Sequence, residues 1–333
     1  VASYLLVEQP LRRGVRVRPV RRRRVLALGG FALAGSALAT ALLFNAWPSL
    51  TLNGLGREAA RNWEAPRPGC ALRDSRRSLA GGFVKSWIPS CPGAREAPKL
   101  VAAGDSHAMS LEPSLRRYAA ESARPVHLYA RRACDLPSLS IPASAKPWCR
   151  DFYEAVVKDL SGRLAPGDVL LLSSLHLPRL GRAREQDPLN RRVRMGLERP
   201  AAYAEAAPVL ARLARTGARI VIQAPLPIFP SPPLRCSQWF NRSNPVCAGG
   251  FVVQRDRLLE LRRPTMEMMH RLARAIPNVE IWDPFPILCP RNPCSAFAGA
   301  TPLFWDEDHL GLAGHDLLYP HLRRAVTPRP ARP

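Results

Sequence analysis

The sequence of 333 residues is poor in lysine, acidic and aromatic side chains. Lys85, Lys99, Lys146 and Lys158 are the only lysines among 49 basic residues, against 26 acidic ones, and aromatics make up 7%. The net charge of +23 is therefore nearly all arginine. A nucleic-acid binder clusters such charge and interleaves it with stacking aromatics. Here the arginines are mostly dispersed and, like the 35 prolines, follow a GC-rich coding bias, which argues against that class. No cysteine precedes Cys70, and no pair has Cys-x-x-Cys spacing. His-Glu-x-x-His spacing is also missing, and so is any internal repeat. These absences argue against a structural zinc site, a metal-dependent hydrolase site and a solenoid.

One dense basic run is present. Arg12, Arg13, Arg16, Arg18 and Arg21 to Arg24 precede an uncharged stretch, "VLALGGFALAGSALATALLFNAW", from Val25 to Trp47. As a helix it would extend roughly 34 Å, enough for a hydrocarbon core of about 30 Å. Trp47 falls where an interfacial aromatic belongs, and the arginines place the N-terminal side in the cytoplasm. A cleaved signal peptide would have a shorter apolar region, commonly about 7–15 residues. The length favours a retained single-pass anchor, with residues 14–24 cytoplasmic and everything after Trp47 outside.

All eight cysteines lie beyond this stretch: Cys70, Cys91, Cys134, Cys149, Cys236, Cys247, Cys289 and Cys294. An even number confined to the expected outer side implies disulfides in an oxidising compartment. Sequence does not fix the connectivity. The simplest pairing joins neighbours, 70 with 91, 134 with 149, 236 with 247 and 289 with 294, because each bridge then braces one loop.

Residues 48–98 are rich in Pro, Gly and Arg with weak periodicity, and read as an irregular stalk. From Lys99 the pattern alternates. Strand-like runs are "KLVAA" (99–103), "PVHLYA" (125–130), "DVLLLSS" (168–174), "ARIVIQA" (218–224) and "VEIW" (279–282). Helix-like stretches with apolar residues three and four apart cover about 111–122, 151–164, 201–215, 253–275 and 312–325. Nearly continuous apolar strands separated by helices imply a parallel sheet covered on both faces. The expectation is a flavodoxin-like, three-layer α/β/α sandwich with a five-stranded parallel sheet over 99–328, followed by a short tail, 329–333. Its reactive crevice should lie at the carboxyl ends of the strands.

Two motifs fall at that edge. In Gly104-Asp105-Ser106-His107 a strand turns into a helix, which exposes Ser106 and aims backbone N–H groups at a developing oxyanion. Asp and Ser are also common helix caps, so this motif alone does not establish a nucleophile. The second, "FWDEDHLGLAGHDLL" (304–318), places Asp306 three residues before His309, close enough to hold the imidazole by its ring N–H. Asp308 competes for that role. Together the motifs supply nucleophile, base and orienting group. A metal site built from His107, Asp306, Asp308 and His309 has no ligand spacing to support it. His127 reads as structural, and His270, His315 and His321 as surface residues.

With both motifs in view, the chain resembles the SGNH (GDSL-type) hydrolase and esterase family. Within that family it more closely resembles the extracytoplasmic SGNH domain fused to membrane-bound acyltransferase family 3 proteins, which O-acylate bacterial surface polysaccharides. "ARRACDLPSL" with Cys149, "CSQWFNRSNPVC" and "ILCPRNPC" resemble that subgroup's cysteine loops. "SYLLVEQPLRR" (3–13) resembles the end of the last helix of the membrane domain, so residues 1–13 read as its remnant.

The resemblance implies Ser106 as nucleophile, His309 as general base, Asp306 as orienting carboxylate and the Ser106 N–H as one oxyanion donor. It also implies a surface polysaccharide or lipid-linked glycan as acceptor. No bound cofactor is implied; acetyl derived from acetyl-CoA would be delivered through a membrane domain, upstream or in trans. The location implied is the bacterial inner membrane with the domain in the periplasm. The sequence departs from the family in two places. It has no recognisable oxyanion glycine after the second strand and no Gly-x-Asn-Asp after the third, where it reads "SSLHLPR". Ser174, His176 or a backbone N–H is the substitute, with Gly104, Asp105 and His107 close to the substrate. Two other readings share the same residues: a carbohydrate O-acetyl esterase, and a non-catalytic carbohydrate-binding module on a degenerate scaffold.

Overall fold

The computed structural model describes residue 9, residues 22–50 and residues 70–328, apart from 95, 182, 183, 185 and 242. The expected segments 1–13 and 14–24 are almost wholly outside the described residues, as are 51–69 of the stalk and the 329–333 tail. The chain divides into two compact units, Val1–Leu55 and Gly56–Pro333. The first contains helix α1, Arg22–Leu50, which takes in the expected 25–47 span. Side chains at 22–26, 28, 44 and 46–50 of this helix lie outside the described residues. Among the described residues, no helix is long and apolar enough to cross a membrane.

The second unit is built on one seven-stranded sheet: β1 (Leu72–Leu79), β2 (Gly82–Pro89), β3 (Leu100–Gly104), β4 (Val126–Ala130), β5 (Val169–Ser173), β6 (Arg219–Gln223) and β7 (Val279–Trp282). In space the order is β1-β2-β4-β3-β5-β6-β7. Strands β3 to β7 are parallel and are the five the alternation predicts. Their order, second-first-third-fourth-fifth, is that of a flavodoxin-like sheet, whose strand order reverses between β3 and β5.

The first two strands correct the sequence reading. Residues 70–98 are not an irregular stalk: β1 and β2 form a hairpin that pairs antiparallel with β4, so the sheet is mixed and has two more strands than expected. The reason lies in β1. Its sequence, LRDSRRSL, is exposed along six central positions and has no apolar alternation to reveal it. A charged strand of this kind suits a sheet edge, where it discourages pairing with another chain. Ala80 and Gly81 both have positive φ, 45° and 77°, which is the type I′ geometry that joins two-residue hairpins. Inside the hairpin, the fully buried Trp87 of β2 packs with Leu115 and Tyr118.

Alternate strand residues feed two cores, one on each face, as the period of two requires. Leu100, Ala102, Val126, Leu128, Val169 and Leu171 join one core. Val101, Ala103, Tyr129, Leu170 and Leu172 join the other. Helices α2 (Ser106–Ser110), α3 (Glu112–Ser122) and α8 (Leu312–Val326) contribute to the first core. The second core takes α4 (Arg150–Arg163), α6 (Arg199–Ala214) and the C-terminal half of α7 (Arg255–Ala275). A short helix, α5 (Pro188–Met195), lies between β5 and α6, capped by Asp187.

Disulfides join Cys70 to Cys91, Cys134 to Cys149, Cys236 to Cys247 and Cys289 to Cys294, the neighbour pairing. The first closes the base of the β1–β2 hairpin.

Candidate active site

The carboxyl end of β3 runs straight into α2, and Ser106 is the first residue of that helix. Asp105 caps it: one carboxylate oxygen accepts from the His107 N–H at 2.8 Å, and the other from the Leu175 N–H at 3.1 Å. Both oxygens are thus used to tie the start of α2 to the loop after β5. Burial alone would raise the Asp105 pKa, but its bonds with His107 and Leu175 prevail and lower it. Gly104 is required by crowding, because a Cβ there would sit 1.9 Å from the Ser173 carbonyl oxygen. These two residues build the turn that displays Ser106.

His309 arrives on a tight loop whose flanks, Phe304 and Leu310, are buried and bridged to each other. Phe304 packs edge-on against Phe229, with ring centroids 5.0 Å apart. Inside the loop, the Asp306 carboxylate accepts from the backbone N–H groups of Asp308 (3.1 Å) and His309 (2.8 Å). The same carboxylate meets His309 Nδ1 at 2.8 Å. The opposite ring nitrogen, Nε2, lies 2.9 Å from Ser106 Oγ. Serine, imidazole and carboxylate therefore form one continuous hydrogen-bonded chain.

A second carboxylate reaches the same nitrogen. Asp308 Oδ1 is 2.9 Å from His309 Nδ1, and its side chain is 2% exposed. Arg179, from the loop after β5, pairs through Nε with Asp308 Oδ2. Burial disfavours a charged imidazole, yet the bonds and charges of Asp306 and Asp308 outweigh it and raise His309 to about 10. Burial likewise works to raise both carboxylates, but the bond with His309 holds each of them down. His107 and Arg179 push Asp308 lower still, well below the usual carboxylate range. The site thus favours a charged imidazole, the form a general base takes on accepting a proton.

The other candidates fall in different places. His107 is buried; its ring backs His309 at 4.5 Å, and its Nε2 meets the Asp308 carbonyl at 3.1 Å. His176 is 1% exposed and is not among the residues lining the cavity around Ser106. Its pKa falls to about 4, chiefly through burial. Ser174 Oγ accepts from the Leu136 N–H at 3.1 Å. His315, expected on the surface, is instead buried beside Ser114 at 3.2 Å, because its face of α8 packs onto α3. His127 is structural, as its position in β4 suggests, and contacts Ser86 at 2.8 Å.

The cavity holding Ser106 and His309 measures about 700 Å³. Its lining includes three residues the sequence reading did not single out: Arg179, Ala133 and Trp305. Ala133 lies in the turn after β4, where the resemblance implies an oxyanion glycine, and has a left-handed conformation, φ 59°. A small residue at this position was the only available signal. Trp305 is 57% exposed at the cavity wall. Asp308, His107 and His309 also bring potential metal-ligand atoms within 4.8 Å of one another. Of these histidines' ring nitrogens only His107 Nδ1 has no hydrogen-bond partner. His309 and Asp308 belong to the hydrogen-bonded chain at Ser106, and His107 Nδ1 lies 3.5 Å from Asp105 Oδ1.

The sequence profile of the SGNH domain fused to AT3 domains matches residues 70–324. The chain belongs to this SGNH domain family. The matched span begins at Cys70, so it includes the hairpin and its disulfide. No curated protein matches the chain. Among solved structures, the SGNH domain is similar to the periplasmic domain of a lipopolysaccharide acetyltransferase of Salmonella ser. Paratyphi A. Identity is 14% over 70% of this chain and 85% of that one, with a TM-score of 0.46. It is also similar to a thermostable esterase from Pseudomonas putida, with 11% identity, 84% and 89% coverage and a TM-score of 0.34. A third is vibralactone cyclase, with 13% identity, 72% and 78% coverage and a TM-score of 0.36. Family membership rests on the profile.

Proposed function

We propose that this SGNH domain is an acyltransferase that moves an acyl group, acetyl by family resemblance, onto a hydroxyl of a cell-surface polysaccharide or lipid-linked glycan. The observation that carries the reading is the unbroken chain Ser106 Oγ–His309 Nε2, His309 Nδ1–Asp306, opening on a 700 Å³ cavity. A non-catalytic binding module has no use for that geometry. Trp305, exposed on the cavity wall, offers a flat amphipathic face to a sugar ring.

In the reaction, Ser106 Oγ attacks the acyl carbonyl and its proton passes to His309 Nε2. The tetrahedral intermediate collapses, His309 returns the proton to the leaving group, and the acyl group remains as a Ser106 ester. The glycan hydroxyl then gives its proton to His309 as it attacks this ester, and Ser106 recovers the proton on release. Asp306 stays ionised and holds the ring. The Ser106 N–H and the Ala133 N–H are the proposed oxyanion donors. Water in place of the glycan gives the esterase reaction with the same residues.

The proposed setting is periplasmic, with residues 25–47 as a single-pass inner-membrane anchor and the acyl group presented by an acyltransferase membrane domain. The uncharged 25–47 sequence and the four disulfides support it. The test is covalent labelling with a fluorophosphonate. Labelling of the wild type that disappears in Ser106→Ala supports a catalytic serine; a folded wild type that never labels points to the binding module. Surface-glycan acetylation in cells with and without the protein then separates transfer from hydrolysis.

A further inference from the structure

We propose that Asp308 is a second positioning carboxylate for His309, anchored by Arg179, so that the imidazole is gripped from two sides. The inference rests on reading Ser106 and His309 as nucleophile and base. Asp306 alone is a partly exposed anchor: its side chain is 33% accessible, and its Oδ1 is shared with two backbone N–H groups of the loop. Water and the loop both compete for it. Asp308 meets the same Nδ1 at 2.9 Å from a buried position. A buried carboxylate needs a compensating cation. Arg179 supplies one, with its own side chain 30% exposed in the cavity.

The charged and titratable groups around His309 are few. On its own loop are Asp306 and Asp308, which meet its Nδ1, and Glu307 between them; α2 contributes Ser106 and His107; the loop after β5 contributes Arg179; Asp105 lies behind and acts on Arg179. With His309 charged, the carboxylates of Asp306 and Asp308 face an imidazolium and a guanidinium, two charges of each sign. Removing Asp308 therefore takes away one stabiliser of the imidazolium, while removing Arg179 takes away a cation that opposes it. The two deletions must move the ring's proton affinity in opposite directions. A merely structural pair would not produce that signature.

The experiment is the rate of Ser106 labelling by a fluorophosphonate across pH in the full chain, for Asp306→Asn, Asp308→Asn, the double variant, Arg179→Gln and Arg179→Lys. A triad with one carboxylate loses about 10⁴-fold in rate when that group becomes an amide. Here each single Asn variant should lose only about 10- to 100-fold, and the double variant about 10⁴-fold. The acid limb of the profile should move to lower pH in Asp308→Asn and to higher pH in Arg179→Gln, with Arg179→Lys restoring it. Asp308→Asn with wild-type rate and limb, beside Asp306→Asn as slow as the double variant, overturns the proposal. If Asp308→Asn fails to fold, the Arg179 pair decides: an acid limb unmoved in Arg179→Gln also overturns it. A wild type that never labels defeats the underlying enzyme reading instead, so the two failures are distinct.

Discussion

Ser106 and His309 are separated by 203 positions in the chain, and their side chains meet at 2.9 Å. Each is brought to that point by a different local device. A crowded glycine and an Asp cap start α2 at Ser106. A loop closed by Asp306, between buried Phe304 and Leu310, holds His309.

Serine chemistry at this site predicts a sharp dependence on both residues. Ser106→Ala should abolish fluorophosphonate labelling, and His309→Ala should slow it by 10³-fold or more, on the order seen when triad members are removed. Circular dichroism of the same samples should show an unchanged fold, since neither side chain belongs to the core.

The raised pKa of His309 predicts an alkaline profile. The base must be neutral to accept the Ser106 proton, and the two carboxylates hold it charged to about pH 10. Labelling should therefore climb through the alkaline range rather than level off near neutrality. Stability carries the opposite sign. The folded-state pKa lies above the unfolded value near 6.5, so this contribution is full below about pH 6.5 and is lost as pH rises through 10. Urea midpoints measured at pH 6 and pH 10, in wild type and His309→Gln, check it: the wild type should lose more on going to pH 10.

Gly104→Ala should damage the fold and the site together. The new Cβ would stand 1.9 Å from a backbone oxygen of β5, which cannot yield without moving the strand. A cost of about 1–3 kcal/mol, the range for overpacking, is the minimum expected. Denaturant titration should show it, with labelling reduced in the protein that remains folded.

Ala133→Gly should do the reverse. A left-handed alanine costs about 1–2 kcal/mol relative to a residue without a Cβ. Glycine removes that strain and keeps the N–H proposed as an oxyanion donor. The variant should label at least as fast as wild type; its thermal midpoint reports the strain released, less the entropy glycine adds to the unfolded chain. A large fall in labelling would show that the methyl group, not the amide, matters there.

Replacing Cys70 and Cys91 by Ser should cost about 3 kcal/mol, the expectation for a closed loop of this size. The loss should be read as a lower guanidinium midpoint. Because the bridge closes the β1–β2 hairpin and not the active site, labelling of the folded fraction should persist.

Much of this was legible in the chain itself. Continuous apolar runs such as Val169–Ser173 declare a strand buried on both faces, and the parallel five-strand core follows from them. Gly104-Asp105-Ser106 and Asp306-x-x-His309 are local motifs whose internal geometry is set within a turn, so their residues could be named in advance. The sequence left the cysteine connectivity open, and the structure has the simplest pairing, between neighbours. The β1–β2 hairpin was not legible, because an edge strand buries little and so carries no hydrophobic period. His176 and His315 could not be placed either: an isolated histidine gives no sign of whether its side of an element faces a cavity or a core.

The sequence by itself pointed to the five parallel strands, to Ser106 and to the Asp306–His309 pair, because each shows in a pattern only a few residues long. Tertiary structure alone decided what surrounds them. Arg179 and Ala133 converge on Ser106 and His309 only because strand order places the loops after β3, β4 and β5 at one edge, beside the 304–311 loop. Contacts that span 129 residues, like Arg179 with Asp308, leave no periodicity in a chain. They exist only once the sheet has formed.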